Sequence, residues 1–158
     1  MNALFRRISI VACAFGTLML LGWLLKFSAY GIDFTDESFY LVWISTPYLY
    51  SVSTTQFGFV YHPLYQLLGG DITALRQANI LICFALAWGM SQAFINSILP
   101  KQSGELLLRA TLSAGLATAV LLIFDTWLVT PSYNSLTLQA LLITTTGLLM
   151  AAARRDHS

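Results

Sequence analysis

The chain has 158 residues, of which 57% are apolar and only 9% charged, and its formal net charge is +1. A water-facing globular surface uses roughly 25% charged residues, so this composition excludes a soluble shell and makes lipid the expected solvent. With no basic run to neutralise phosphates, it also excludes a nucleic-acid partner.

Four stretches approach the ~20 apolar residues that a spanning helix needs. The first is expected over 8–27. Arg6 and Arg7 precede an apolar run of 18 residues from Ile8 to Leu25, longer than the roughly 7–15 of a secretory leader. No small-x-small cleavage site follows, so it reads as an uncleaved anchor. The second, 77–99, is uncharged and closed by Pro100. The third, 106–127, has Arg109 near one end and Asp125 near the other. The fourth, 134–153, stops at Arg154 and Arg155. The predicted fold is an all-α membrane protein: a single membrane domain of four transmembrane helices, with short interfacial helices in a long first outer loop.

Basic residues set the expected orientation. With both termini cytoplasmic, Arg6, Arg7, Lys101, Arg109, Arg154 and Arg155 all fall inside, six of the chain's eight Lys and Arg residues. Lys26 and Arg76 sit at helix ends, where long stems can snorkel. A bacterial inner membrane is the expected location. Residues 101–105 then form a cytoplasmic turn, and 128–133, with Pro131, a short outer connection. Cys13 and Cys83 lie inside apolar runs and read as small buried hydrophobes, not as a metal motif or a disulfide.

The outer loop, 28–76, is about 49 residues long, which is unusual without structure of its own. It is rich in Tyr, Trp and Phe, residues that favour the membrane–water interface. One surface helix is expected to start near Thr35-Asp36-Glu37, with Thr35 as cap and the acids on the helix dipole, and to end before Pro47. A second is expected from Pro63 to Leu68, closed by Gly69-Gly70. Asp71 or Thr73 would cap the approach to the next span.

Asp33, Asp36 and Glu37 are three of the seven acids in the chain. At a helix start they contribute about 0.3–1 kcal/mol each through the dipole. Carboxylates so placed can also act as general base or hold a divalent cation. Spacing does not decide among these. Asp125, in apolar surroundings at membrane depth, is a functional candidate or a snorkelling acid. His62 in its aromatic setting reads first as structural. Arg76 is either an interface anchor or a phosphate contact. Tyr133 and Asn134 read as caps of the fourth span. There is no phosphate-cradling Gly-rich loop, no HExxH and no GxSxG, which excludes a nucleotide-dependent cytosolic enzyme.

The order Asp36-Glu37-Ser38-Phe39-Tyr40, then Tyr61-His62-Pro63-Leu64-Tyr65, then Ala74-Leu75-Arg76 entering the second span resembles the N-terminal part of GT-C membrane glycosyltransferases. These use polyprenyl-phosphate sugars and include protein O-mannosyltransferases and aminoarabinose transferases. The resemblance implies Asp36 as catalytic base, Glu37 as a residue that orients the site or binds acceptor or metal, and Asp125 as a second acid. It implies Tyr40, His62 and Arg76 as substrate contacts, the last two to the lipid phosphate. The implied partners are membrane lipid and a polyprenyl-phosphate sugar donor. Two departures stand out. The His-Pro stretch has one Pro where many relatives have two, and relatives carry many more helices. The expectation is therefore a truncated N-terminal module, inactive if later helices build the lipid-phosphate pocket. The alternative is a non-catalytic accessory or assembly protein with a membrane-protein partner. A transporter fragment is a weaker third reading, because discontinuous helices and midplane charges are missing.

Overall fold

A computed structural model describes residues 3–31, 33, 36–50, 55–99 and 105–155. In chain order the helices are α1 (Ala3–Phe27), α2 (Asp36–Ser45), α3 (Phe57–Leu67), α4 (Ile72–Ile98), α5 (Leu106–Leu121), a single turn α6 (Ile123–Thr126) and α7 (Tyr133–Arg155). Pro47–Tyr50 form a 3-10 turn after α2. No strand occurs among the described residues. Four helical spans are long and apolar enough to cross a membrane: α1, α4, α5 with α6, and α7. These make the chain an all-α integral membrane protein.

The apolar helices do not pack in chain order. α4 packs against both α5 and α7, and α1 packs chiefly against α5. Burial follows this order: 39% of the most apolar α4 window is buried, against 11% for α7 and 6% for α1. Ile80, Phe84 and Ala87 of α4 meet Ala117 and Leu121 of α5 and Leu142 of α7 in one core. Leu4, Val11, Phe15 and Leu18 of α1 remain exposed. That surface is normal where lipid tails are as apolar as the side chains.

The long α1–α4 connection folds as a hairpin of α2 and α3 over a second core of Tyr40, Trp43, Ile44, Phe57, Tyr61 and Leu75. Phe57 lies edge-on to Tyr40, ring centroids 5.5 Å apart at 88°, and 4.7 Å from Trp43. α3 and α2 come so close at Gly58 that a Cβ there would sit 2.3 Å from Trp43 Cδ1 and 2.8 Å from the Trp43 carbonyl oxygen. Only glycine fits this crossing.

The expected helices exist, and some of their limits move. α2 spans the acids and stops before Pro47 as expected; Thr35, its expected cap, lies outside the described residues, as does most of the 101–105 turn. α3 starts six residues before Pro63, which stands inside the helix. A proline there forfeits one backbone bond, but burial of Phe57, Gly58 and Tyr61 against α2 outweighs the local preference. α3 does end at Gly69-Gly70, both with positive φ (66° and 79°). The Gly69 and Gly70 amides bond back to Gln66 and Tyr65. α4 starts at Ile72, not Gln77. Asp71 caps it, accepting from the Ala74 amide at 3.0 Å. α5 stops at Leu121 and its last turns tighten to i,i+3 bonds, Leu122 to Ala119 and Asp125 to Leu122, a common way for a helix to end. α7 starts at Tyr133, so the cap position is Ser132 and not Tyr133 or Asn134; its hydroxyl makes a long 3.5 Å contact with the Ser135 amide.

Candidate functional site

The Asp36–Glu37 pair opens α2, and helical geometry turns successive residues about 100° apart. The two acids therefore meet different surroundings. Glu37 faces inward and is 3% exposed; Asp36 faces solvent. The Glu37 carboxylate meets Arg76 of α4, itself 5% exposed. Its Oε1 accepts from Arg76 Nη2 at 2.6 Å and Nε at 2.9 Å, and from the Thr130 hydroxyl. Oε2 accepts from the Asp33 amide at 3.0 Å.

Arg76 spends its remaining donors on backbone. Nη1 donates to the Ser28 carbonyl and Nη2 to the Gly31 carbonyl, both at 2.9 Å, while Nε also reaches Thr130 Oγ1 at 3.1 Å. A guanidinium has five N–H groups. Here Nε, both Nη2 hydrogens and one Nη1 hydrogen are engaged within the chain. Burying two charges is costly unless geometry and extra hydrogen bonds compensate, and both conditions hold. The cluster binds together the end of α1, the start of α2, the start of α4 and the connection before α7. Arg76 and Glu37 are thus closed into one buried ion pair rather than snorkelling to the interface.

Beside this cluster lies a hollow of about 340 Å³ lined by Asp33, Asp36, Asp125, Trp127 and Leu128. It adjoins a larger groove of about 830 Å³ between the end of α1 and the α5–α6 corner. That groove shares Asp33 and Asp125 with the hollow and reaches Leu20, Leu24 and Leu121 at its apolar end. Asp36 and Asp125, 89 positions apart in sequence, therefore line one hollow. Neither side chain has a hydrogen-bond or ion-pair partner among the described residues. Among those residues no three His, Cys, Asp or Glu side chains are arranged to hold a metal ion.

The other candidates lie elsewhere. Tyr40 is buried between Phe57 and Tyr133. Its phenol is pushed up to about 12, first by burial, then by the hydrogen bond and charge of Tyr133 and by Asp36 and Asp33. His62 bonds through Nδ1 to the Ile44 carbonyl at 2.8 Å. Since a carbonyl only accepts, Nδ1 carries the hydrogen, and the ring ties α3 to α2. Lys26 lies over the Phe27 ring, 5.7 Å from its centroid.

One polar cluster has no counterpart in the sequence reading. Gln139 of α7 accepts from the Tyr61 hydroxyl at 3.0 Å and donates to Asn79 Oδ1 at 3.0 Å. Asn79 Nδ2 then donates to the Val129 carbonyl at 2.8 Å and to Ser135 at 3.1 Å. Burial raises the Tyr61 phenol well above its ordinary value. The signal was available: Asn79 and Gln139 are amides inside apolar runs, which implies a shared partner.

Comparison with protein-family models, with curated proteins and with solved structures finds no match for this chain.

Proposed function

We propose that this chain is a glycosyltransferase-like membrane protein of the GT-C type, working at the extracytoplasmic surface on a polyprenyl-phosphate sugar, with Asp36 as its base. The observation that carries the reading is the hollow in which exposed Asp36 stands with Asp33 and Asp125, beside a groove of about 830 Å³ lined in part by leucines. The neighbouring Glu37–Arg76 pair fixes the start of α2 and hence the position of Asp36. The basic residues support sidedness, since the positive-inside rule keeps the termini cytoplasmic and turns this end of the bundle outward.

In this reading Asp36 takes the proton from an acceptor O–H or N–H group. The acceptor atom attacks the anomeric carbon, and the bond from that carbon to the lipid phosphate oxygen breaks, the phosphate keeping the electron pair. A positioned general base contributes about 10²–10⁴-fold. The test is sugar transfer from a labelled polyprenyl-phosphate donor. Asp36→Asn is expected to lower the rate at least about 100-fold while membrane insertion and melting temperature stay unchanged. Undiminished transfer by Asp36→Asn refutes the assignment.

A second reading, a non-catalytic accessory protein, is favoured by one observation: Arg76, which lines the adjoining groove, is engaged by Glu37, Ser28, Gly31 and Thr130. A donor phosphate then has to be held by other groups. Absence of transfer from every donor, together with co-purification of a membrane partner, selects it.

A further inference from the structure

Residues 38–70, between the acids that open α2 and the turn into α4, contain no Lys, Arg, Asp or Glu. Within them α3 has two apolar faces. Phe57, Gly58 and Tyr61 are buried, and Leu64, Tyr65 and Leu68 pack on the same core against α2. Phe59, Val60, Pro63 and Leu67 fall within about 100° of arc on the other side, at 100° per residue, and all are exposed, Leu67 to 82%. Residues 59, 63 and 67 are successive i,i+4 neighbours. The strip runs on into the turn after α2, where Tyr48, 77% exposed, meets the Phe59 ring edge-on with centroids 5.3 Å apart. A helix that is apolar all round is one covered on all sides, and a contiguous exposed apolar patch marks an interaction surface.

The chain fixes where this strip lies. The Gly69 and Gly70 amides fold back onto Gln66 and Tyr65, and the Asp71 amide onto Leu68, which holds the end of α3 at the start of α4, itself the start of a span. The end of α1 and the connection before α7 meet at this same end through Arg76, and Trp23, Phe27 and Trp127 are exposed there, as rings are at a membrane–water boundary. We infer that the outer edge of the hairpin, Tyr48, Phe59, Val60, Pro63 and Leu67, is sunk into the lipid leaflet at this end of the bundle, while Asp36, at the opposite end of α2, stands in water. A protein partner is held in register by a polar and charged rim, and residues 38–70 offer no charge for one. Lipid asks only for apolar area with aromatic rings at the boundary, and the strip continues the lipid-facing surface of the spans. Beyond an interfacial position, this names the face that enters lipid and the end that does not. It does not depend on the role of Asp36 in catalysis.

Nitroxide depth measurement tests this. In a Cys13→Ser background, where the remaining Cys83 is fully buried, Val60→Cys and Leu67→Cys are spin-labelled in the full chain and reconstituted in lipid nanodiscs. Both positions are exposed, so the labels displace no core side chain, and an unchanged melting temperature checks the fold. Asp36→Cys serves as the wet reference and Ile143→Cys, exposed in the middle of α7, as the lipid reference. Collision with dissolved oxygen, which partitions into lipid, is expected to exceed collision with a water-soluble nickel chelate at 60 and 67, at a depth of about 5–10 Å below the headgroup boundary. The reverse order is expected at 36. Nickel collision exceeding oxygen collision at 60 and 67 puts the edge in water and overturns the inference. Weak collision with both reagents there means that a second copy or another protein covers the strip, and overturns it equally. Oxygen-dominated collision at position 36 removes the proposed division of the hairpin between lipid and water.

Discussion

Replacing Glu37 by Gln tests whether the buried pair holds the outer end of the bundle together. The substitution keeps shape and one acceptor oxygen but removes the charge 2.6 Å from Arg76 Nη2. Arg76 stays 5% exposed, and the carbonyls of Ser28 and Gly31 are dipoles that only partly replace a carboxylate. Breaking one side of a buried ion pair costs about 3–5 kcal/mol; because Gln still accepts, about 3 kcal/mol is expected. At roughly 2–4 °C per kcal/mol for a chain of this size, the melting temperature should fall by about 10 °C. Cys83 is fully buried, so a thiol-reactive fluorogenic dye in a Cys13→Ser background reports the unfolding directly. Adding Arg76→Gln removes the stranded charge, and the double variant should lose less than the two single losses added together. A Glu37→Gln protein that melts within about 2 °C of wild type, or strict additivity in the double variant, refutes the structural role and returns Glu37 to the list of ligands.

Three further outcomes follow from the packing and the network. Gly58→Ala drives a methyl into Trp43 and its carbonyl and should cost about 1–3 kcal/mol in the same melt, whereas Gly16→Ala, with no atom within 4 Å, should be neutral or slightly stabilising. Gln139→Leu leaves the Tyr61 hydroxyl without its partner and Asn79 Oδ1 with only the weak Cys83 thiol at 3.9 Å, and should cost roughly 1–3 kcal/mol, read as a lower melting temperature and faster dye reaction at Cys83. Tyr40 gives a pH prediction. Its folded phenol is raised to about 12 from the ordinary 10.0, so the native state holds that proton more tightly than the unfolded chain. The stabilisation is complete below pH ~10 and is lost as pH rises through ~12. Absorbance titration of the tyrosinate band should show one late-ionising group fewer in Tyr40→Phe, and that variant should lose less stability between pH ~10 and ~12.

What the sequence revealed, and what it hid, divides along physical lines. The spans were legible because lipid imposes a length and an apolar composition that can be read residue by residue. α2 was legible because Asp36 and Glu37 open it and Pro47 follows it. The start of α3 was not, because Pro63 is a strong local signal and the contacts that override it, Phe57 and Gly58 on Trp43, are tertiary. The start of α4 was missed for a related reason. Arg76 reads locally as the mark of the membrane edge, although a charge inside a helix is tolerated when a partner 39 positions away neutralises it. Nothing local to Arg76 announces Glu37. The Gln139–Asn79–Tyr61 network likewise depends on α7 lying against α4, a neighbour relation that chain order does not supply.

The two adjacent acids show why pattern alone could not assign roles. In the sequence Asp36 and Glu37 are equivalent, both in the first turn of a helix and both suited to its dipole. One step of helical rotation separates them into a carboxylate closed around an arginine and a carboxylate open to a hollow. That division also reverses the expected electrostatics of the site. Read from the sequence, Arg76 offers a phosphate a cation. In the fold, Glu37 cancels it, and Asp36 and Asp125 line the hollow beside the pair.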